Sequence, residues 1–271
     1  MTQAQKIIKY CAITLAVLLI VGIFSGMIQA ISWVFYLIAD SDKDDIYEMQ
    51  AIFTDYDGNE LSLDIDLGAT ELIIKKGESL DVSSNGRYIV CRKRGDRVVI
   101  EERPHISTGA DDVQVVITLP EGFAFKDVDM DLGAGNVEID TLSCDRLDLD
   151  LGAGNFSADS LTVTRQADID GGTGMIYIGG GSLVDLELGM GVGALELRSE
   201  LFGNSDLDMG VGEVRLCLLG DKSNYKLDID KGIGEVYFDG SYVSGGVLGN
   251  GARRVDVDGG IGKISIEFVE G

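Results

Sequence analysis

One short pattern recurs along this chain, and few folds can accommodate it. The segments DMDLGAGNVEI, DLDLGAGNFSA, DIDGGTGMIYI, ELGMGVGALEL, DLDMGVGEVRL, DIDKGIGEVYF and DVDGGIGKISI share one template, and DIDLGATELII is an earlier, degenerate copy. Their first motif glycines are Gly68, Gly133, Gly152, Gly172, Gly191, Gly210, Gly232 and Gly260. From Gly133 onward the spacings are 19, 20, 19, 19, 22 and 28, so the core period is 19–20 residues. A fixed period of this length marks a stacked-repeat architecture.

The columns assign a job to each position. Three residues before the first glycine stand Ile65, Met130, Leu149, Ile169, Leu188, Leu207, Ile229 and Val257. Four residues after it stand Leu72, Val137, Phe156, Ile176, Leu195, Val214, Val236 and Ile264, and two further on a second apolar column follows. Alternation on both sides of the glycines is the period of half-buried strands. The phase slips across G-x-G, so the chain turns a corner there, where glycine tolerates positive φ and close backbone stacking. A single 19–20-residue unit cannot bury its apolar face alone, so the units must stack, each on the next, at about 4.8 Å. Eight copies give roughly 40 Å of stack. The expected fold is all-β: a glycine-rich β-solenoid of stacked strand repeats.

The same columns hold the sharpest polar feature. Four residues before the first glycine come Asp64, Asp129, Asp148, Asp168, Glu187, Asp206, Asp228 and Asp256. Two before it come Asp66, Asp131, Asp150, Asp170, Gly189, Asp208, Asp230 and Asp258. Both columns alternate with buried positions and so face outward. At the stacking distance, neighbouring carboxylates repel by about 1 kcal/mol each even in bulk water. Two devices could lessen this: divalent cations bridging the oxygens, for which calcium is suited, or corner amides with solvent and salt. On the first reading, Asp129, Asp131, Asp148, Asp150, Asp168 and Asp170 form a candidate cation column. On the second, they are a solvated face that discourages aggregation.

Ahead of the repeats, residues 10–39 carry no charge, and the centre CAITLAVLLIVGIF is almost wholly apolar. About 20 such residues span a bilayer. A cleaved signal peptide has a shorter apolar region and a small-residue cleavage site, whereas here Ile28 is bulky. The expectation is one N-terminal transmembrane helix. Lys6 and Lys9 precede it, and Asp40, Asp42, Asp44 and Asp45 with Lys43 follow it. The positive-inside rule then sets the N-terminus in the cytoplasm and the rest outside. Trp33 and Tyr36 suit an interfacial belt. The expected organisation is a cytoplasmic N-terminus (1–9), the anchor in the lipid bilayer (10–39), an acidic linker (40–59) and an extracytoplasmic β-repeat domain (60–271).

Within that domain, residues 75–126 break the repeat and read as an irregular, more basic section. RYIVCRKRGDRVVIEERP has the look of a hairpin, and DDVQVVITLPEG of a strand ending in a turn. Between Lys75 and Arg103 there are 8 Lys and Arg against 5 Asp and Glu. This section either covers the first repeat as a solvated end of the sheet or offers a basic docking patch.

Composition narrows the function. A net charge of -24 speaks against nucleic acid and anionic lipid as partners. Cys91, Cys144 and Cys217 match no zinc spacing, and three cannot pair completely; reduced, small apolar side chains is the simpler reading, with one disulfide as the alternative. G-x-G followed by a strand rather than a helix does not fit nucleotide binding. His105 is the lone histidine and sits beside Pro104, no Ser or Cys lies in a nucleophile motif, and Arg146, Arg165 and Arg198 share no column. The chain reads as a non-enzyme with no catalytic or cofactor-binding residues.

The turn Leu119-Pro120-Glu121-Gly122, followed by VDMDLGAGNV and DLDLGAG, resembles the bacterial adhesin-like β-strand-repeat proteins that carry a toastrack domain. The resemblance runs over about residues 60–268. The arrangement is similar to Lia-type envelope-stress membrane proteins of Gram-positive bacteria. It implies a non-catalytic sensor or scaffold at the cell envelope, with a membrane-protein partner. The alternative it leaves is a surface binding module for cell-wall polymer or glycan, assisted by calcium. It carries over no ligand residues.

Overall fold

The computed structural model describes residues 46–54, 61–103 and 113–269. Apart from one short 3-10 turn, their regular structure is all strand. In chain order these are β1 (Ile46–Thr54), β2 (Ser62–Ala69), β3 (Glu71–Gly77), β4 (Asp81–Gly86), β5 (Ile89–Arg94) and β6 (Arg97–Glu102). Then come β7 (Gln114–Pro120), β8 (Phe125–Ile139), β9 (Leu142–Ala158), β10 (Leu161–Ile178), β11 (Gly181–Val184) and β12 (Leu186–Phe202). The last are β13 (Asn204–Leu219), β14 (Tyr225–Phe238), β15 (Ser241–Val243), β16 (Gly246–Gly249) and β17 (Arg253–Val269). The expected anchor, residues 10–39, and His105 lie outside the described residues.

Each long strand is one coil of the repeat. In β9 the buried residues fall in three runs, Leu142 and Cys144, Leu147 and Leu149, then Phe156 and Ala158. From Leu149 to Phe156 the buried phase shifts by an odd number of residues across Gly152-Ala153-Gly154, which is where the strand bends. Coils stack in parallel and in register, so like sits on like. Met130 adjoins Leu149, Leu149 adjoins Ile169, and Ile169 adjoins Leu188. All eight residues of that apolar column are buried. Each contributes roughly 1.5–3 kcal/mol relative to exposure, and together they form one continuous core.

Glycine at the bend is dictated by the neighbouring backbone. Gly154 has φ +148°, and a Cβ there would lie 1.7 Å from the carbonyl oxygen of Gly135 in the coil below. The in-register partners Gly174, Gly193, Gly212 and Gly262 meet the same obstruction at 1.6–1.8 Å.

Both ends of the stack are closed by strands outside the repeat. At the N-terminal end β2 and β3 form the first coil, against β8. Its other edge is covered by β6 on β2 and β7 on β3, both parallel. Beyond these, β5 pairs antiparallel with β6, β4 with β7, and β1 with β4. The strands β4 to β7, from the section that breaks the repeat in sequence, thus supply the covering layer together with β1.

At the C-terminal end the order of coils departs from the order of the sequence. We expected each coil to pair with the next. Instead, β17 lies between β13 and β14, parallel to both, and β14 is the outermost coil. The physical reason is local. The segment after β14 folds straight back on it as β15 and β16, antiparallel, and occupies the edge on which β17 would otherwise stack. The spacings of 22 and 28, longer than the period, fall at this exchange. A polar clamp holds it: the Arg253 guanidinium donates to Glu200 at 2.7 Å and lies 4.1 Å over the Phe202 ring. The buried Tyr225 hydroxyl donates to the Leu219 carbonyl at 2.8 Å, and accepts from the Leu201 amide at 3.2 Å and from Arg253 at 3.4 Å.

Two outcomes test this account. Gly154→Ala should lower stability by about 3 kcal/mol or more, because strain and a backbone clash combine. Gly122→Ala, where φ is +72° but nothing lies within 4 Å, should cost only about 1 kcal/mol; denaturant melts of the two variants give the comparison. Tyr225→Phe leaves the buried Leu201 amide without its partner and removes the bonds to the Leu219 carbonyl and Arg253, and should cost about 1–3 kcal/mol by the same measurement.

Candidate functional site

The stacking brings the two acidic columns together on one outward face. The first runs Asp64, Asp129, Asp148, Asp168, Glu187, Asp206, Asp256, Asp228, each opposite the next. The second runs Asp66, Asp131, Asp150, Asp170, Gly189, Asp208, Asp258, Asp230 in the same register. All six residues of the candidate cation column, Asp129, Asp131, Asp148, Asp150, Asp168 and Asp170, are therefore adjacent. The last two members of each column are exchanged relative to the sequence, because β17 precedes β14 in space.

Burial and mutual repulsion together weaken the acidity of several of them. The carboxyl groups of Asp129, Asp148 and Asp168 are raised above the usual value, first by partial desolvation and then by the carboxylates stacked beside them. Asp66 and Asp258 are raised for the same reasons. Three features relieve the face. Arg97 sits 3.0 Å from Asp64 at one end of the first column, and Arg254 sits 2.8 Å from Asp256 near the other. In the second column, Gly189 leaves a gap: a Cβ there would meet the Asp170 carboxylate at 2.6 Å. The Asp170 side chain thus leans into the space that a carboxylate at position 189 would fill.

A shallow open groove of about 230 Å³ runs beside the first column, lined by Arg97, Asp127, Asp129, Arg146, Asp148 and Asp168 among others. Arg146 reaches Asp127 at 3.1 Å and Arg165 reaches Asp145 at 3.3 Å. Among the described residues, no group of three or more His, Cys, Asp or Glu converges as a metal ion would require. Cys91, Cys144 and Cys217 are free thiols, of which only Cys144 is fully buried. Burial pushes the Cys91 and Cys144 thiols up to about 12. No helix among the described residues is long and apolar enough to cross a membrane.

The bend carries a second ladder that the column reading passed over. The middle residues of G-x-G stack as Ala134, Ala153, Thr173, Val192, Val211, Ile261 and Ile233. The β-branched apolar members are more than two-fifths exposed, and Ile233 on the outermost coil reaches 61%. The signal was available: this one variable position grows from Ala to Val to Ile along the chain.

Comparison with known proteins places the architecture. The sequence matches the family described as Toastrack DUF4097 over residues 38–267. The chain belongs to that toastrack family. Several solved structures resemble it. A candidate adhesin from Bacteroides fragilis is 13% identical, with 84% of this chain and 98% of that one covered and a TM-score of 0.42. A candidate cell adhesion protein from Clostridium sporogenes is 15% identical, with 82% and 99% covered and a TM-score of 0.34. A candidate lipid-binding protein from Parabacteroides distasonis is 10% identical, with 80% and 96% covered and a TM-score of 0.39. No curated protein matches the sequence. The described part of this chain is thus a toastrack β-repeat domain.

The raised carboxyls fix a pH dependence. A folded-state value above the unfolded one means that the folded chain binds more protons between the two values. Stability contributed by Asp66, Asp129, Asp148, Asp168 and Asp258 is therefore gained as the pH falls through their raised values towards 3.8. Thermal melts should show Tm rising on mild acidification from neutrality. Added monovalent salt at neutral pH should raise Tm too, and Asp148→Asn should weaken both responses.

Proposed function

We propose that this chain is a non-catalytic, membrane-anchored toastrack protein that works as a sensor or scaffold in the bacterial envelope-stress response. In this reading residues 10–39 cross the bilayer with the N-terminus in the cytoplasm, and the toastrack domain lies outside and engages another membrane protein. The observation that carries it is the form of the site: an extended, in-register outer face with a fixed charge pattern rather than an enclosed pocket. Such a face suits recognition of another extended surface. The resemblance to Lia-type proteins supports the envelope setting, and the uncharged N-terminal run supports the anchor.

The in-register stacking of the carboxylates favours a second reading, in which the same face binds cell-wall polymer or glycan with calcium as a bridge. Deletion separates the two. On the first reading, loss of the protein alters the response to wall-active antibiotics, and affinity purification of the full chain recovers a membrane protein. Unchanged responses with no membrane partner recovered, together with calcium-dependent retention of the detergent-solubilised chain on purified wall, would establish the second reading instead.

A further inference from the structure

The two ends of the stack are finished differently, and the difference points to a self-association surface. At the N-terminal end, β5, one of two edge strands there with β1, carries Arg92, Lys93 and Arg94, the kind of charged finish that keeps a sheet edge from pairing. At the C-terminal end, β15 and β16 are the outer edge, and each pairs only with β14 among the described residues. Residues 240–252, which include both strands, hold no charged side chain in a chain that is 25% charged. Terminal repeats ordinarily need a polar outer face. This one instead exposes Tyr242 at 60%, Val247 at 57% and, beside them on β14, Ile233 at 61%.

We propose that this edge is the interface of a tail-to-tail homodimer, formed by antiparallel pairing of β15 and β16 with the same strands of a second copy. Three observations select a second copy as the occupant. First, the chain bears a net charge of -24, and the uncharged hairpin is where two like-charged copies can meet without opposing carboxylates. Second, the edge is self-complementary. Tyr242 stands opposite Tyr237 and Val247 opposite Asp228, so both side chains share the outward face, while Val243 and Leu248 share the inward one. With a two-fold axis between Ser244 and Gly245, Tyr242 faces Val247 of the partner subunit and Val243 faces Gly246 of the partner subunit. Every pair then matches outward with outward and inward with inward, as an isologous interface requires. Third, Tyr242 already has contacts that favour its outward placement: Lys231 donates to its hydroxyl at 2.9 Å and lies 4.9 Å from its ring centre. Such contacts reduce the side-chain freedom lost on association.

The inference does not depend on what the acidic face recognises. The test uses the full chain in detergent, with mass measured by light scattering. Two chains per particle are expected for the wild type and one for Val247→Lys, which replaces an apolar interface side chain by a charge that pairing would have to desolvate, with an unchanged circular-dichroism spectrum. Disulfide trapping fixes the register. Tyr242→Cys mixed with Val247→Cys should give a covalent dimer well above that of either variant alone, since the axis brings 242 to 247 and not either residue to itself. A single chain per particle in the wild type, an undiminished Val247→Lys dimer, or equal trapping by each variant alone would overturn the proposal.

Discussion

Parallel stacking in strict register is the constraint from which the rest of this molecule follows. It sets every residue beside its own equivalent in the next coil, so a choice at one position is repeated along the whole column. Apolar positions gain from that repetition, because Leu149 packs between Met130 and Ile169 and no coil has a dry face of its own. Bends gain nothing and instead impose a prohibition. Where Gly154 passes over the Gly135 carbonyl there is room only for a hydrogen, so the prohibition is inherited by each coil above.

Acidic positions lose by the same repetition, and the structure distributes that loss. Cations stand near the ends of the first column, where Arg97 and Arg254 reach Asp64 and Asp256. The second column is interrupted at Gly189, into whose space Asp170 turns. What is left, added to partial burial, weakens the acidity of Asp129, Asp148 and Asp168. Retention of such a column has a physical rationale beyond recognition. In-register parallel strands with identical stacked side chains are the geometry of cross-β assemblies, in which neutral faces zip together. A carboxylate ladder along the outer face prevents two stacks from closing on each other in that way.

Most of the core was legible in the sequence because register stacking makes the column, not the single residue, the unit of information. Ile65, Met130, Leu149, Ile169, Leu188, Leu207, Ile229 and Val257 are all buried, as their shared position implied. The acidic residues were equally legible as a face. Their neutralisation was not, since Arg97 lies on β6, outside the repeat, and finds Asp64 only when β6 pairs with β2. The coil order was illegible for a sharper reason. The copies at Gly232 and Gly260 carry nearly the same pattern, so each fits beside β13 and the repeat cannot say which one does. What decides is the uncharged hairpin between them, which has no place in the template.

That decision has consequences for how the stack closes. A hairpin forms from residues close in sequence, so β15 and β16 can cover β14 at little loop-closure cost. Insertion of β17 joins residues far apart, with Asp206 opposite Asp256, and calls for the last-made segment of the domain. With β15 and β16 along one edge of β14, β17 takes its other edge and the edge of β13. The Arg253 clamp sits at the entry of that strand, bonded to Glu200 and Tyr225, and is completed only when β12, β14 and β17 are all in place. The out-of-order coil thus combines a local hairpin with a distant pairing, and the clamp marks the arrangement in which both are satisfied.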